Sequence, residues 1–204
     1  MHQLLLHDSE FLNRGFKSLA GVDEAGRGPL AGPVVASAVI VRDFSFLGAV
    51  DDSKKMTAKS REAVYGEIFE KCDVGVGIVE HGVIDEINIL EATFRAMGQA
   101  LARLKTRPDA IMVDGNRKPR VSGNFFPIVD GDALSFSIAC ASIVAKVTRD
   151  RIMDEHDTRY PLYGFKKHKG YGTAEHVQAL KDHGPCEIHR KTFEPVRSLA
   201  SSRG

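Results

Sequence analysis

Between residues 83 and 105 the apolar side chains Ile87, Leu90, Phe94, Met97, Leu101 and Leu104 recur at alternating steps of three and four. That spacing draws one continuous apolar stripe down a long helix. A second stripe, Val64, Ile68, Phe69 and Cys72, predicts a helix within residues 57–72. The period then changes to two: Val74, Val76 and Ile78 alternate with Gly75 and Gly77, predicting a strand over residues 73–79 that its glycines weaken. Earlier in the chain, residues 20–23 and 33–41 are β-rich runs parted by the glycine-rich stretch 26–32. Short apolar runs at 110–113 and 125–129 are further strands, each followed by an aspartate and a glycine, although Pro127 weakens the second. Residues 137–153 are rich in Ala and Ser, as suits a helix packed closely on a sheet. Residues 173–183 read as a capped amphipathic helix with Glu175 in its first turn. Strands first, then strands alternating with helices, predict an α/β fold with a central mixed β-sheet flanked by helices.

The 204 residues, 43% of them hydrophobic and 27% charged, are enough to bury one continuous core. No linker or repeat divides them, so a single domain over 1–204 is expected, with a core of about 18–196 and flexible ends. A net charge of +1 excludes a general polyanion binder but leaves room for a local basic patch. Three cysteines (Cys72, Cys140 and Cys186) are too few for a disulfide framework and favour a reducing compartment. The first residues lack the basic start and clean apolar core of a secretion signal, and no apolar run approaches a membrane span. A cytoplasmic protein with no membrane attachment is expected.

The acids supply the chemistry. Asp23 and Glu24 close the first strand, Asp114 closes the run 110–113, and Asp132 lies between the strand 125–129 and the helix 137–153. An acid at a strand end is ordinarily a turn residue, and Asp130 fits that description. Yet open α/β sheets gather their ligands at the carboxyl ends of strands. Four carboxylates brought to one neighbourhood repel unless cations lie between them, and oxygen donors select hard ions such as Mg²⁺ or Mn²⁺. Two such ions about 3.5–4 Å apart form the usual clamp for in-line displacement at a phosphodiester. Adjacent strand residues face opposite sides, so Glu24 is expected where its strand ends or bends.

Gly26-Arg27-Gly28 follows the acid pair. Glycines let backbone N–H groups approach a ligand closely, and Arg27 suits a phosphate. The whole run Gly21-Val22-Asp23-Glu24-Ala25-Gly26-Arg27-Gly28-Pro29-Leu30-Ala31-Gly32-Pro33-Val34-Val35 resembles the signature of ribonuclease HII, the type 2 ribonuclease H family. Further segments match in order: Asp52-Ser53-Lys54-Lys55, Met112-Val113-Asp114-Gly115, Gly131-Asp132, the stretch from Ala141 to Asp150, His168-Lys169-Gly170-Tyr171-Gly172-Thr173 and Ile188-His189-Arg190. The resemblance covers about residues 20–196. The Gly-Arg-Gly triplet favours type HII over type HIII, which carries a different residue between the glycines and an additional N-terminal domain.

The resemblance implies a ribonuclease H-like fold and two-metal-ion cleavage of the RNA strand of RNA–DNA hybrids. It also implies incision 5′ of ribonucleotides embedded in duplex DNA, with 3′-hydroxyl and 5′-phosphate ends, as in ribonucleotide excision repair. It makes Asp23, Glu24, Asp114 and Asp132 the metal-binding catalytic acids. Gly26, Arg27 and Gly28 would contact the 2′-hydroxyl and backbone at the scissile linkage, and Tyr171 would pack on the adjoining sugar. By residue type alone Tyr171 reads as a core or turn aromatic.

Phosphate contacts should supply a grip indifferent to sequence. The candidates are Lys54, Lys55, Lys146, Arg149, Lys166, Lys167, Lys169 and Arg190, with Tyr163, Phe165 and Tyr171 interleaved among the later ones. His183, Cys186 and His189 lack a fourth close ligand, which disfavours zinc. No obligate protein partner is evident, and a monomer is expected. The alternatives are a resolvase- or integrase-like nuclease acting on DNA alone and a hybrid-binding protein without catalysis.

Overall fold

The computed structural model describes residues 4–46, 50, 56–119 and 121–201. Lys54 and Lys55, with the segment that carries them, lie outside those residues. Five strands form one mixed sheet in the order β3-β2-β1-β4-β5. Strand β1 (Leu19–Ala25) pairs antiparallel with β2 (Val34–Val41), and β2 with β3 (Cys72–Val79). On its other edge β1 runs parallel to β4 (Ala110–Asp114), which runs parallel to β5 (Phe125–Ile128). Parallel pairing brings the carboxyl ends of β1, β4 and β5 to one edge of the sheet, the arrangement that the acids at those ends require.

Each helix is apolar on the face it turns to the sheet. Helix α3 (His81–Ala102) covers one face, where Ile84, Ala92, Ala96 and Met97 meet Val22, Val34, Ala36 and Ala38. Helices α2 (Ala58–Lys71) and α5 (Phe136–Arg159) cover the other, with Ile68, Phe136 and Cys140 packed beside Val39. Thr57 caps α2 by accepting the Ser60 N–H, and Ser135 caps α5 by accepting that of Ile138. In β3 the more deeply buried face belongs to the glycines, contrary to the valine pattern. A Cβ on Gly77 would stand 1.9 Å from the Ala96 carbonyl oxygen, so α3 rests directly on the bare backbone. The long helix is also not continuous: Asn88 has φ 68°, and its side chain caps the second segment by accepting the N–H groups of Leu90 and Glu91.

The segment read as a soft N-terminal end contains a helix, α1 (Leu5–Asn13). Its Asp8 is buried and accepts the hydroxyls of Ser135 and Ser137 and the Ser137 N–H. A third layer holds α6 (Phe165–His168), α7 (Ala174–His183) and α8 (Val196–Ser201) around Leu30, Met153, Phe165 and Leu180.

Candidate active site

Strand register places the acids. Val22 stands opposite Val113, so the next residues, Asp23 and Asp114, are neighbours at the ends of β1 and β4. Strand β1 continues past Glu24 in regular register with β2, Glu24 opposite Ala36 and Ala25 opposite Val35. Glu24 therefore sits within the strand rather than beyond its end, and the pair straddles the sheet. Asp23 lies on the α5 side, hydrogen-bonded to Ser142. Glu24 borders a cavity of about 290 Å³ on the α3 side, with Leu90, Thr93, Asp114, Asn116 and Arg117. Asp132 is buried in the first turn of the short α4 (Gly131–Leu134). The Gly131 N–H donates to Asp114 Oδ1 at 2.7 Å, which ties that turn to the end of β4. Asp130 is exposed and left-handed at the start of this turn, as befits a turn residue.

Burial raises the Asp23 carboxyl well above its ordinary range, and the charges of Glu24 and Asp114 raise it further. Burial also raises Glu24, against the lowering effect of Arg27, whose Nη1 lies 3.2 Å from Glu24 Oε1. Buried acids that raise one another, all with hard oxygen donors, fit a divalent cation. In the conformation described each is held by a protein donor instead. Among the described residues no group of three or more His, Cys, Asp or Glu side chains stands ready to hold a metal ion.

The glycine loop leaves β1 at Gly26, with φ 98°, where a Cβ would meet Arg149 Nε at 2.1 Å. Arg149 and Arg190 lie beneath this loop, both fully buried. Arg190 donates to the carbonyls of Gly26 at 2.6 Å, Arg27 at 3.0 Å, Gly32 at 3.0 Å and Pro33 at 3.2 Å. Arg149 donates to the carbonyls of Ala31, Pro33 and Lys169. Neither guanidinium faces the surface where a phosphate would approach, so the two residues act on the loop from below. Burial lowers both from the ordinary arginine range, Arg149 to about 10 and Arg190 to about 9, and both stay charged at neutral pH.

A cavity of about 440 Å³ joins Asp23, Glu24 and the loop to Ser142, Lys146 and Tyr171. Lys146 is paired with Asp150 at 2.7 Å. Lys169 pairs with Asp154 and Lys167 with Glu175. Tyr171 is 44% exposed, so it is no core aromatic. Its backbone is fixed from behind by histidines: His176 Nδ1 meets the Tyr171 carbonyl at 2.9 Å, and His168 Nδ1 accepts the Gly170 N–H. His189 is bonded to Cys186 through Nδ1 and to His176 through Nε2. Arg61 also lines the cavity but escapes the sequence, because it sits mid-helix on α2 outside every motif and only the fold brings it there. Asn116 and Arg117 were missed as well, although they directly follow the Asp114-Gly115 motif that could have pointed to them.

The family model for ribonuclease HII matches residues 20–196. A ribonuclease HII from Endomicrobium trichonymphae is 53% identical over 196 residues, covering 95% of this chain and 93% of its own. Among solved structures, the ribonuclease H2 of Pyrococcus horikoshii superposes with a TM-score of 0.76 at 28% identity, over 91% of this chain and 98% of the other. The ribonuclease HII of Archaeoglobus fulgidus, solved in complex with PCNA, gives 0.73 at 26% identity, over 87% and 96%. The mixed sheet with its flanking helices is a ribonuclease H-like fold. By a family match over residues 20–196 and a relative 53% identical over nearly all of both chains, this chain belongs to the ribonuclease HII family of ribonuclease H hydrolases.

Proposed function

We propose that this protein hydrolyses the RNA strand of RNA–DNA hybrids and incises 5′ of ribonucleotides embedded in duplex DNA, leaving 3′-hydroxyl and 5′-phosphate ends, and so serves ribonucleotide removal from DNA. The observation that carries this is the placement of Asp23 beside Asp114 at adjoining strand ends, with Asp23 and Glu24 in one cavity with the Gly-Arg-Gly loop and Tyr171. Asp23, Glu24, Asp114 and Asp132 would hold Mg²⁺ or Mn²⁺, two ions in the catalytic complex. Such ions activate water and stabilise the leaving 3′-oxygen. The loop amides and Arg27 take the sugar–phosphate at the scissile linkage, and the exposed Tyr171 ring takes the adjoining sugar. Lys146 and Arg61 line the same cavity and contribute phosphate contacts, and the resemblance adds Lys54 and Lys169. Arg149 and Arg190 serve from beneath the loop. Among the described residues no helix is long and apolar enough to cross a membrane, and a cytoplasmic monomer acting on nucleic acid completes the proposal.

The test is incubation with Mg²⁺, and separately Mn²⁺, and a labelled duplex carrying one ribonucleotide, beside an all-DNA duplex and an RNA–DNA hybrid. Cleavage of the hybrid and incision at the ribonucleotide alone, both lost in Asp23→Asn, are expected. Equal cutting of the all-DNA duplex would overturn the ribonucleotide reading in favour of a DNA nuclease. Absence of any cutting would leave a hybrid-binding protein.

A further inference from the structure

The glycine loop has an unusual underside. Its carbonyl oxygens at Gly26, Arg27, Gly32 and Pro33 converge on one guanidinium, that of Arg190, and Arg149 gathers Ala31 and Pro33 beside it. Among the described residues no carboxylate is hydrogen-bonded to either arginine. Two guanidiniums buried against neutral carbonyls alone are costly to desolvate, so the arrangement calls for a return beyond packing.

Peptide geometry indicates what that return is. In a trans peptide the C=O and N–H point in opposite directions. The Gly26 carbonyl shares its peptide with the Arg27 N–H, and the Arg27 carbonyl shares its peptide with the Gly28 N–H. Drawing both carbonyls down onto Arg190 turns both N–H groups up. Arg27 and Gly28 are exposed, and among the described residues neither N–H donates to a protein acceptor. Two successive outward amides form a concave donor site for an oxygen ligand. The Gly32 N–H, by contrast, is occupied by the Ile188 carbonyl, so the outward pair is confined to the stretch beside Glu24 and Tyr171.

We propose that Arg190, with Arg149 in support, is a positioning residue for ribonucleotide recognition: it holds the Arg27 and Gly28 amides outward as preformed donors for the 2′-hydroxyl oxygen of the ribonucleotide at the scissile linkage. This rests on the proposed ribonucleotide-directed activity and adds to it the part that sets the loop's orientation. Arginine rather than lysine is required, because a planar fork reaches four carbonyls at once and a single ammonium does not.

The test compares wild type with Arg190→Lys, which keeps the charge and loses the fork. Affinities are measured by fluorescence anisotropy, without divalent metal, for a duplex with one embedded ribonucleotide and for the all-DNA duplex. Wild type should prefer the ribonucleotide duplex. In a variant still folded by circular dichroism, that preference should fall by about tenfold, the scale of one or two lost neutral hydrogen bonds, while all-DNA affinity stays put. A role confined to stability would lower the melting temperature and leave the ratio alone, which overturns the proposal. A wild type without preference would instead sink the ribonucleotide reading on which it rests. Should Arg190→Lys fail to fold, amide NMR of the wild type decides. The Arg27 and Gly28 signals must move with the ribonucleotide duplex more than with all-DNA, and signals that respond equally to both overturn the proposal.

Discussion

His176 Nε2 and His189 Nε2 lie 3.0 Å apart in the interior, so the two rings share one proton along that line. The Tyr171 carbonyl accepts from His176 Nδ1, which leaves His176 Nε2 as an acceptor and makes His189 Nε2 the donor. His189 Nδ1 then accepts the Cys186 N–H at 2.9 Å. A chain of neutral imidazoles thus supports the segment that presents Tyr171.

Burial pushes both rings down to about 4, and for His189 the neighbouring His176 adds to the effect. The unfolded chain takes up these protons near pH 6.5, the folded protein only near pH 4. Their contribution to stability is therefore complete above pH 6.5 and is lost as the pH falls towards 4, by at most roughly 1.4 kcal/mol per pH unit for each ring. His176→Gln removes one titration. Its stability deficit, measured by urea denaturation, should shrink steadily from pH 7 to pH 4.5; a constant deficit would contradict the assigned protonation states.

Tyr171→Ala should lower cleavage at an embedded ribonucleotide by about tenfold or more, the scale of one lost stacking contact. Duplex affinity should change far less, because the phosphate grip is elsewhere. Single-turnover cleavage and direct binding separate the two, and an unchanged cleavage rate removes Tyr171 from the site.

Much of this was legible in the chain. The α3 stripe predicted the helix but not the face it buries, which is mostly alanine, Ala92, Ala96 and Ala100, with Met97 alone of the stripe fully buried; the acids at three strand ends predicted a shared edge. What escaped depended on contacts distant in sequence. Arg149 and Arg190 look like any basic residues of a nucleic-acid enzyme until Gly26 and Pro33 are seen folded over them. The α1 helix has no strong periodicity, and its reason to dock is Asp8, whose partners Ser135 and Ser137 lie far along the chain. In β3 the valines drew attention, whereas the glycines mark where a helix axis comes close.

Gly77→Ala tests that last point. Its methyl would collide with backbone, at 1.9 Å from the Ala96 oxygen, so no rotamer change relieves it. A loss of about 3 kcal/mol or more is expected in chemical denaturation. Gly66→Ala, where a Cβ meets nothing within 4 Å, is the control and should be neutral or stabilising.

Asp8→Ala would leave the Ser135 and Ser137 hydroxyls and the Ser137 N–H without their shared acceptor. About 2 kcal/mol or more of stability should be lost. Hydrogen exchange should show α1 and the first turn of α5 opening together; protection unchanged in α5 would mean that the two are not coupled through this acid.

Because β1 keeps its register through Ala25, its two acids belong to different walls of the molecule, Asp23 to the one built by α5 and Glu24 to the one built by α3. A change in the α5 wall therefore acts first on Asp23 and reaches Glu24 only through the cavity that both border. The same fact makes β1 intolerant of length changes. Deleting one residue before Asp23 would send each acid to the opposite wall, so a lesion that spares every acid in the sequence would still exchange their surroundings.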